Sequence, residues 1–123
     1  NTTEINKIMG LSTSVYIGPY YRITGEKEIQ ELSEFMRKDS SENYITLDEE
    51  NGMDEGELII LPNKGDAGKF VDMESYGIVQ HGKATWGSVF ELEELMGEDL
   101  MKIIRSFKIK YCYPDHGVII FLS

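Results

Sequence analysis

Apolar and β-branched residues crowd most densely from Ser12 to Ile23, where Val15, Tyr16, Ile17, Tyr20, Tyr21 and Ile23 surround Gly18-Pro19. That density predicts the first strand of the fold. Pro19 has no N–H to give a ladder, so the strand is expected to bend there, to bulge, or to run along a sheet edge where a partner can dock. From Glu26 to Lys38 the period becomes helical: Ile29, Leu32, Phe35 and Met36 share one face, and Glu28, Glu31, Glu34, Arg37 and Lys38 fill the rest. Tyr44–Leu47 and Glu57–Leu61 predict two short strands joined as a hairpin. Between 64 and 82 the glycines at 65, 68, 77 and 82 leave only a hint of strand at Tyr76–Val79, and the stretch reads mostly as loop.

Ser88 caps a second helical stretch in which Val89, Phe90, Leu92, Leu95 and Met96 are followed by Leu100, Met101, Ile103, Ile104 and Phe107. It is the longest helical region, with Gly97 as its weak point. The alternation Lys108–Tyr113, the turn-like Pro114-Asp115-His116-Gly117 and the apolar Val118–Leu122 predict a C-terminal β-hairpin whose second strand lies centrally in the sheet. A short helical turn over Thr2–Met9, ended by Gly10, precedes the first strand. Together these elements predict one α+β domain over residues 1–123. Its mostly antiparallel sheet, with the C-terminal β-hairpin, packs against one long and one shorter amphipathic helix.

Charge narrows the partners. The 22 acidic side chains outnumber the 12 basic ones, for a net charge of −10. Direct contact with nucleic acid or anionic lipid is therefore disfavoured, and a basic protein surface is the complementary partner. Cys112 is the only cysteine, so no intramolecular disulfide forms and a reducing cytoplasm fits best. No apolar run reaches the roughly 18–20 residues of a membrane span, and Asn1–Gly10 lacks the pattern of a signal peptide.

Candidate chemistry is sparse. The loop of Asp48, Glu49, Glu50, Asp54, Glu55 and Glu57 has the carboxylates for a hard cation, but its spacing puts Gly52 and Met53 where an EF-hand needs a ligand and a glycine. It reads better as a solvated hairpin tip or an electrostatic contact. A second acidic stretch comprises Glu91, Glu93, Glu94, Glu98 and Asp99. Gly65-Asp66-Ala67-Gly68-Lys69 resembles the end of a phosphate-binding loop, but Phe70 stands where a hydroxyl would hold magnesium. Cys112, Asp115, His116 and the distant His81 are too few for structural zinc, and a strand cysteine is ordinarily a core residue. No metal or other cofactor is expected. Tyr16, Tyr20, Tyr21 and Trp86 are candidates to line an aromatic pocket, against the plainer reading of tyrosines at the margin of a core.

Ser12-Thr13-Ser14-Val15-Tyr16-Ile17-Gly18-Pro19-Tyr20, continued by Tyr21-Arg22-Ile23, resembles the opening strand of small accessory proteins of tailed bacteriophages. Ala84-Thr85-Trp86-Gly87-Ser88 and the C-terminal segment are compatible with that group. The resemblance covers a small part of the chain and carries no site residues. It implies an accessory protein in the cytoplasm of a bacterial host, often an acidic inhibitor of a host defence or nucleic-acid-processing protein, acting in some cases by DNA mimicry. The leading expectation is thus a non-enzymatic acidic module that binds the basic surface of a host protein. A small-ligand-binding protein or small enzyme with an aromatic pocket is the alternative, and the oligomeric state is left open.

Overall fold

A computed structural model describes residues 13–63, 67–74, 77–82 and 88–122, with the backbone alone at 72–74 and 77–82. The order is β1 (Thr13–Ile23), α1 (Glu26–Lys38), β2 (Tyr44–Leu47), β3 (Leu58–Pro62), β4 (Lys69–Glu74), β5 (Gly77–Gly82), α2 (Val89–Met96), α3 (Glu98–Ser106) and β6 (Cys112–Leu122). Among the described residues all strand pairings are antiparallel and six strands form one sheet, so the α+β class holds. The turn expected over Thr2–Met9 lies outside the described residues.

The organisation around β1 differs from the sequence expectation. β1 is central rather than an edge: β6 pairs with it over its whole length, from Thr13↔Leu122 to Ile23↔Cys112. Its other side is shared, with β4 along Thr13–Ile17 and β3 along Tyr21–Ile23. Gly18-Pro19 falls in the gap between these partners, where a missing N–H disrupts no ladder to β3 or β4. Pro114–Gly117 does not turn but runs extended through β6, so a single long strand replaces the expected C-terminal hairpin. That strand is also not central, since β6 pairs with β1 alone among the described residues.

The 64–82 stretch, read as loop, contains the β4–β5 hairpin, registered from Lys69↔Gly82 to Glu74↔Gly77. Its glycines had masked it. Gly68 is needed for packing: a Cβ there would sit 2.3 Å from the Tyr16 ring and hydroxyl. The predicted long helix is split in two at Gly97, whose φ of 87° favours glycine.

One face of the sheet carries the helices. Tyr21, Ile23, Leu58, Ile60 and Cys112 pack there against Leu32, Leu92, Met96, Leu100, Met101 and Ile104. On the opposite face Tyr16, Tyr20, Leu47, Ile59, Leu61, Phe70, Ile119 and Phe121 are buried against one another. This second cluster draws only on strand residues and Met53, so the sheet must coil around it. The register shows the coil. The row of partners from Leu47 runs through Ile59 and Arg22 to Tyr113, yet the turn after Leu47 meets Leu122, nine residues further along β6.

Candidate functional site

Loop 48–57 is built by local polar chemistry. Asp48 Oδ1 accepts from Glu50 N at 2.9 Å, and Asn51 Oδ1 accepts from Asp48 N at 3.1 Å, a reciprocal cap on the single 3-10 turn Glu49–Asn51. Gly52 and Gly56 supply the positive φ values, 90° and 78°, that bring the chain back to β3. Asp48, Glu49, Glu50, Asp54 and Glu55 are left exposed. Glu57 differs: it is partly buried and pairs with Arg22 at 2.6 Å.

The second acidic stretch forms the corner between α2 and α3. Ser88 Oγ accepts from Glu91 N at 3.2 Å and starts α2. Glu93 is consumed structurally, since it pairs with Arg105 of α3 at 3.1 Å and lies beside the Tyr21 hydroxyl. Burial, with Glu93 beside it, pushes the Tyr21 hydroxyl well above the ordinary tyrosine range. Glu94, Glu98 and Asp99 remain exposed, and the last two sit in the first turn of α3, where the helix dipole favours them.

Both acidic groups border α1. Asp48, Glu49, Glu50 and Glu57 line a shallow hollow with Ile29, while Glu94, Glu98 and Asp99 line another with Phe35 and Asp39. Ile29 and Phe35 lie on opposite flanks of the buried stripe of α1. The exposed surface of α1 between them is charge-balanced, with Glu26, Glu31 and Glu34 against Lys27, Arg37 and Lys38. Of the candidate carboxylates, Asp48, Glu49, Glu50 and Glu57 thus border α1 on one side and Glu94, Glu98 and Asp99 on the other, with the charge-balanced outer surface of the helix between the two patches.

The tyrosines do not converge. Tyr16 is fully buried and donates to the Pro19 carbonyl at 2.5 Å, with its ring 4.9 Å from that of Phe70. Tyr20 shares its face, but Tyr21 packs under the helices on the other. Alternation along β1 makes a pocket common to all three impossible. Trp86 lies outside the described residues. Sequence reading also missed a polar chain that ties β1 to β6 and to the loop before β3: Tyr20 donates to Asp115 Oδ2 at 3.2 Å, and Arg22 donates to the Tyr20 hydroxyl at 3.2 Å while pairing with Glu57. Tyr20 and Arg22, two apart on β1, were the available signal.

Cys112 is buried, and desolvation, then the charge of Glu28, pushes its thiol up to about 12. Such a thiol is a core group rather than a nucleophile. Ala67 and Gly68 of the phosphate-loop lookalike lead into strand β4, not into the helix that such a loop requires, and positions 65 and 66 lie outside the described residues. The His81 side chain is likewise outside them. Among the described residues, no three His, Cys, Asp or Glu side chains are grouped to hold a metal, and no helix is long and apolar enough to cross a membrane.

No protein-family model, curated protein or solved structure matches the chain.

Proposed function

We propose that this protein is a non-enzymatic acidic binding module that meets the basic surface of another protein. The observation that carries this reading is the uncompensated charge of its two patches. Among the described residues Glu49, Glu50, Asp54, Glu55, Glu94, Glu98 and Asp99 are exposed and make no ion pair, in a chain of net charge −10. Like charges held together repel, so such patches cost stability that a basic partner would return. The rigid cap at Asp48 and Asn51 holds the first patch in place before binding, which limits the ordering cost. The resemblance of the first strand extends the proposal to a phage accessory protein that inhibits or modulates a host defence or nucleic-acid-processing protein in the bacterial cytoplasm. Two patches parted by the charge-balanced outer surface of α1 favour separate contacts over one continuous mimic of a DNA strand.

The test is capture from a bacterial lysate by the wild-type chain and by a chain with Asp48, Glu49, Glu50, Asp54 and Glu55 all changed to lysine. A basic protein retained by the first and lost by the second, and eluted by salt, is the expected result. Equal retention by both contradicts it.

A further inference from the structure

Strand β6 carries a surface that the two acidic patches do not use. Because β6 pairs with β1 alone among the described residues, its outer edge directs backbone groups away from the sheet. Native edges are ordinarily blunted by proline and charge. Here Pro114, Asp115 and His116 protect the first half, whereas Gly117–Phe121 contains neither proline nor charge. On the outward face of this stretch Val118 and Ile120 are 57% and 63% exposed. Their partners across the ladder are the half-buried Ile17 and Val15. The four side chains form an apolar strip beyond the helix layer, which packs on β1 and β6 at Tyr21, Ile23 and Cys112. At the end of the strip, Asn51 donates to the Leu122 carbonyl and so brings the acidic loop against β6.

We propose that the Gly117–Phe121 edge receives an extended segment of a basic protein, added to the sheet as a further strand. Backbone pairing supplies the affinity, and apolar side chains at alternate positions of the segment lie over Val118 and Ile120. Lysine or arginine at the segment's end meets the carboxylates of loop 48–55. The proposal rests on the reading of the partner as basic, but pairing at the edge is a separate requirement. A second copy of this chain is a poorer occupant. It brings the same excess of acid, and antiparallel pairing would carry its Asp115 toward the loop.

Fluorescence anisotropy with the full chain and synthetic peptides tests both requirements. The first peptide alternates valine and threonine and ends in lysines, the second ends in glutamates, and the third keeps the lysines but has proline at its centre. The lysine-ended peptide is expected to bind and to slow amide exchange at Val118–Phe121. The glutamate and proline peptides are each expected to bind at least about tenfold more weakly. Ile120→Asn, at an exposed position, is expected to weaken the lysine-ended peptide several-fold while the circular dichroism spectrum is unchanged. If the proline peptide or the Ile120→Asn chain binds as well as the originals, strand addition is overturned and the charge reading survives. If the glutamate-ended peptide binds equally, the charge reading fails and edge pairing survives. Self-association of the free chain that Ile120→Asn abolishes, or no binding of any peptide at millimolar concentration, overturns the proposal.

Discussion

The carboxamide of Asn51 donates a 2.8 Å hydrogen bond to the carbonyl of Leu122, joining positions 71 residues apart. The same side chain accepts from Asp48 N, so one residue both shapes the acidic turn and fastens it to the last strand. Asn51→Ala removes both bonds. It is expected to lower stability by about 1–2 kcal/mol in urea unfolding, with faster amide exchange at Asp48, whose N–H loses its acceptor. Unchanged stability would show that the coil of the sheet does not depend on this fastening.

Tyr16 and Gly68 fix a second point of the coil. A methyl group at Gly68 would overlap the buried Tyr16 ring, which has no room to move because its hydroxyl is bound to the Pro19 carbonyl. Gly68→Ala is expected to cost about 1–3 kcal/mol, the usual range for overpacking. Tyr16→Phe, which leaves that carbonyl without its partner, is expected to cost about 1–2 kcal/mol. Thermal or urea unfolding of the two variants measures both, and a neutral Gly68→Ala would contradict the packing described.

Buried acids with raised pKa values set the alkaline limit. The Cys112 thiol rises from 9.0 to about 12 in the folded chain. The unfolded chain therefore releases this proton first. The stabilisation is complete below about pH 9 and is lost as pH climbs toward 12, at about 1.4 kcal/mol per pH unit for this group. Tyr16, Tyr21 and Tyr44, all raised chiefly by burial, add to the fall above about pH 10. Urea midpoints across that range are expected to decline steadily. In the native state near neutral pH, Cys112 is expected to react with a thiol reagent no faster than the chain unfolds.

These relationships also explain what could be read in advance. Helix α1 was legible because Ile29, Leu32, Phe35 and Met36 make its stripe locally and Asp39 ends it, with no distant partner required. The β2–β3 hairpin was legible for the same reason. Pro114–Gly117 was misread because its local preference is to turn, and only an eleven-residue pairing with β1 holds it extended. Gly18-Pro19 looked like a break until β3 and β4 were seen to divide that side of β1 between them. Gly68 read as a loop residue, although its role is to admit the ring of Tyr16. The acidic residues were visible as a list. Nothing along the chain showed that Glu57 and Glu93 are held by Arg22 and Arg105, or that the charge-balanced outer surface of α1 parts the two patches.

The Arg22–Glu57 pair offers a control for charge changes on the surface. The two side chains are 2.6 Å apart and only partly exposed, and Tyr20 also bonds Arg22. Burial works against the guanidinium charge, but these partners outweigh it and raise the arginine pKa. Glu57→Gln is expected to destabilise the chain by about 1 kcal/mol, whereas Glu55→Gln, at an exposed and unpaired position, is expected to change stability by less than about 0.5 kcal/mol. A double-mutant cycle with Arg22 checks the first value. Equal effects of the two changes would contradict the division between structural and free carboxylates.

The central claim is that the carboxylates of loop 48–55 bind a basic partner. Its most direct test is the affinity of the captured protein for the wild-type chain across a salt titration, beside the chain with Asp48, Glu49, Glu50, Asp54 and Glu55 changed to lysine. Wild-type affinity that falls steeply with salt, and loss of binding in the reversed chain at every salt concentration, is the predicted result. An affinity that is flat with salt and equal for the two chains would contradict the claim.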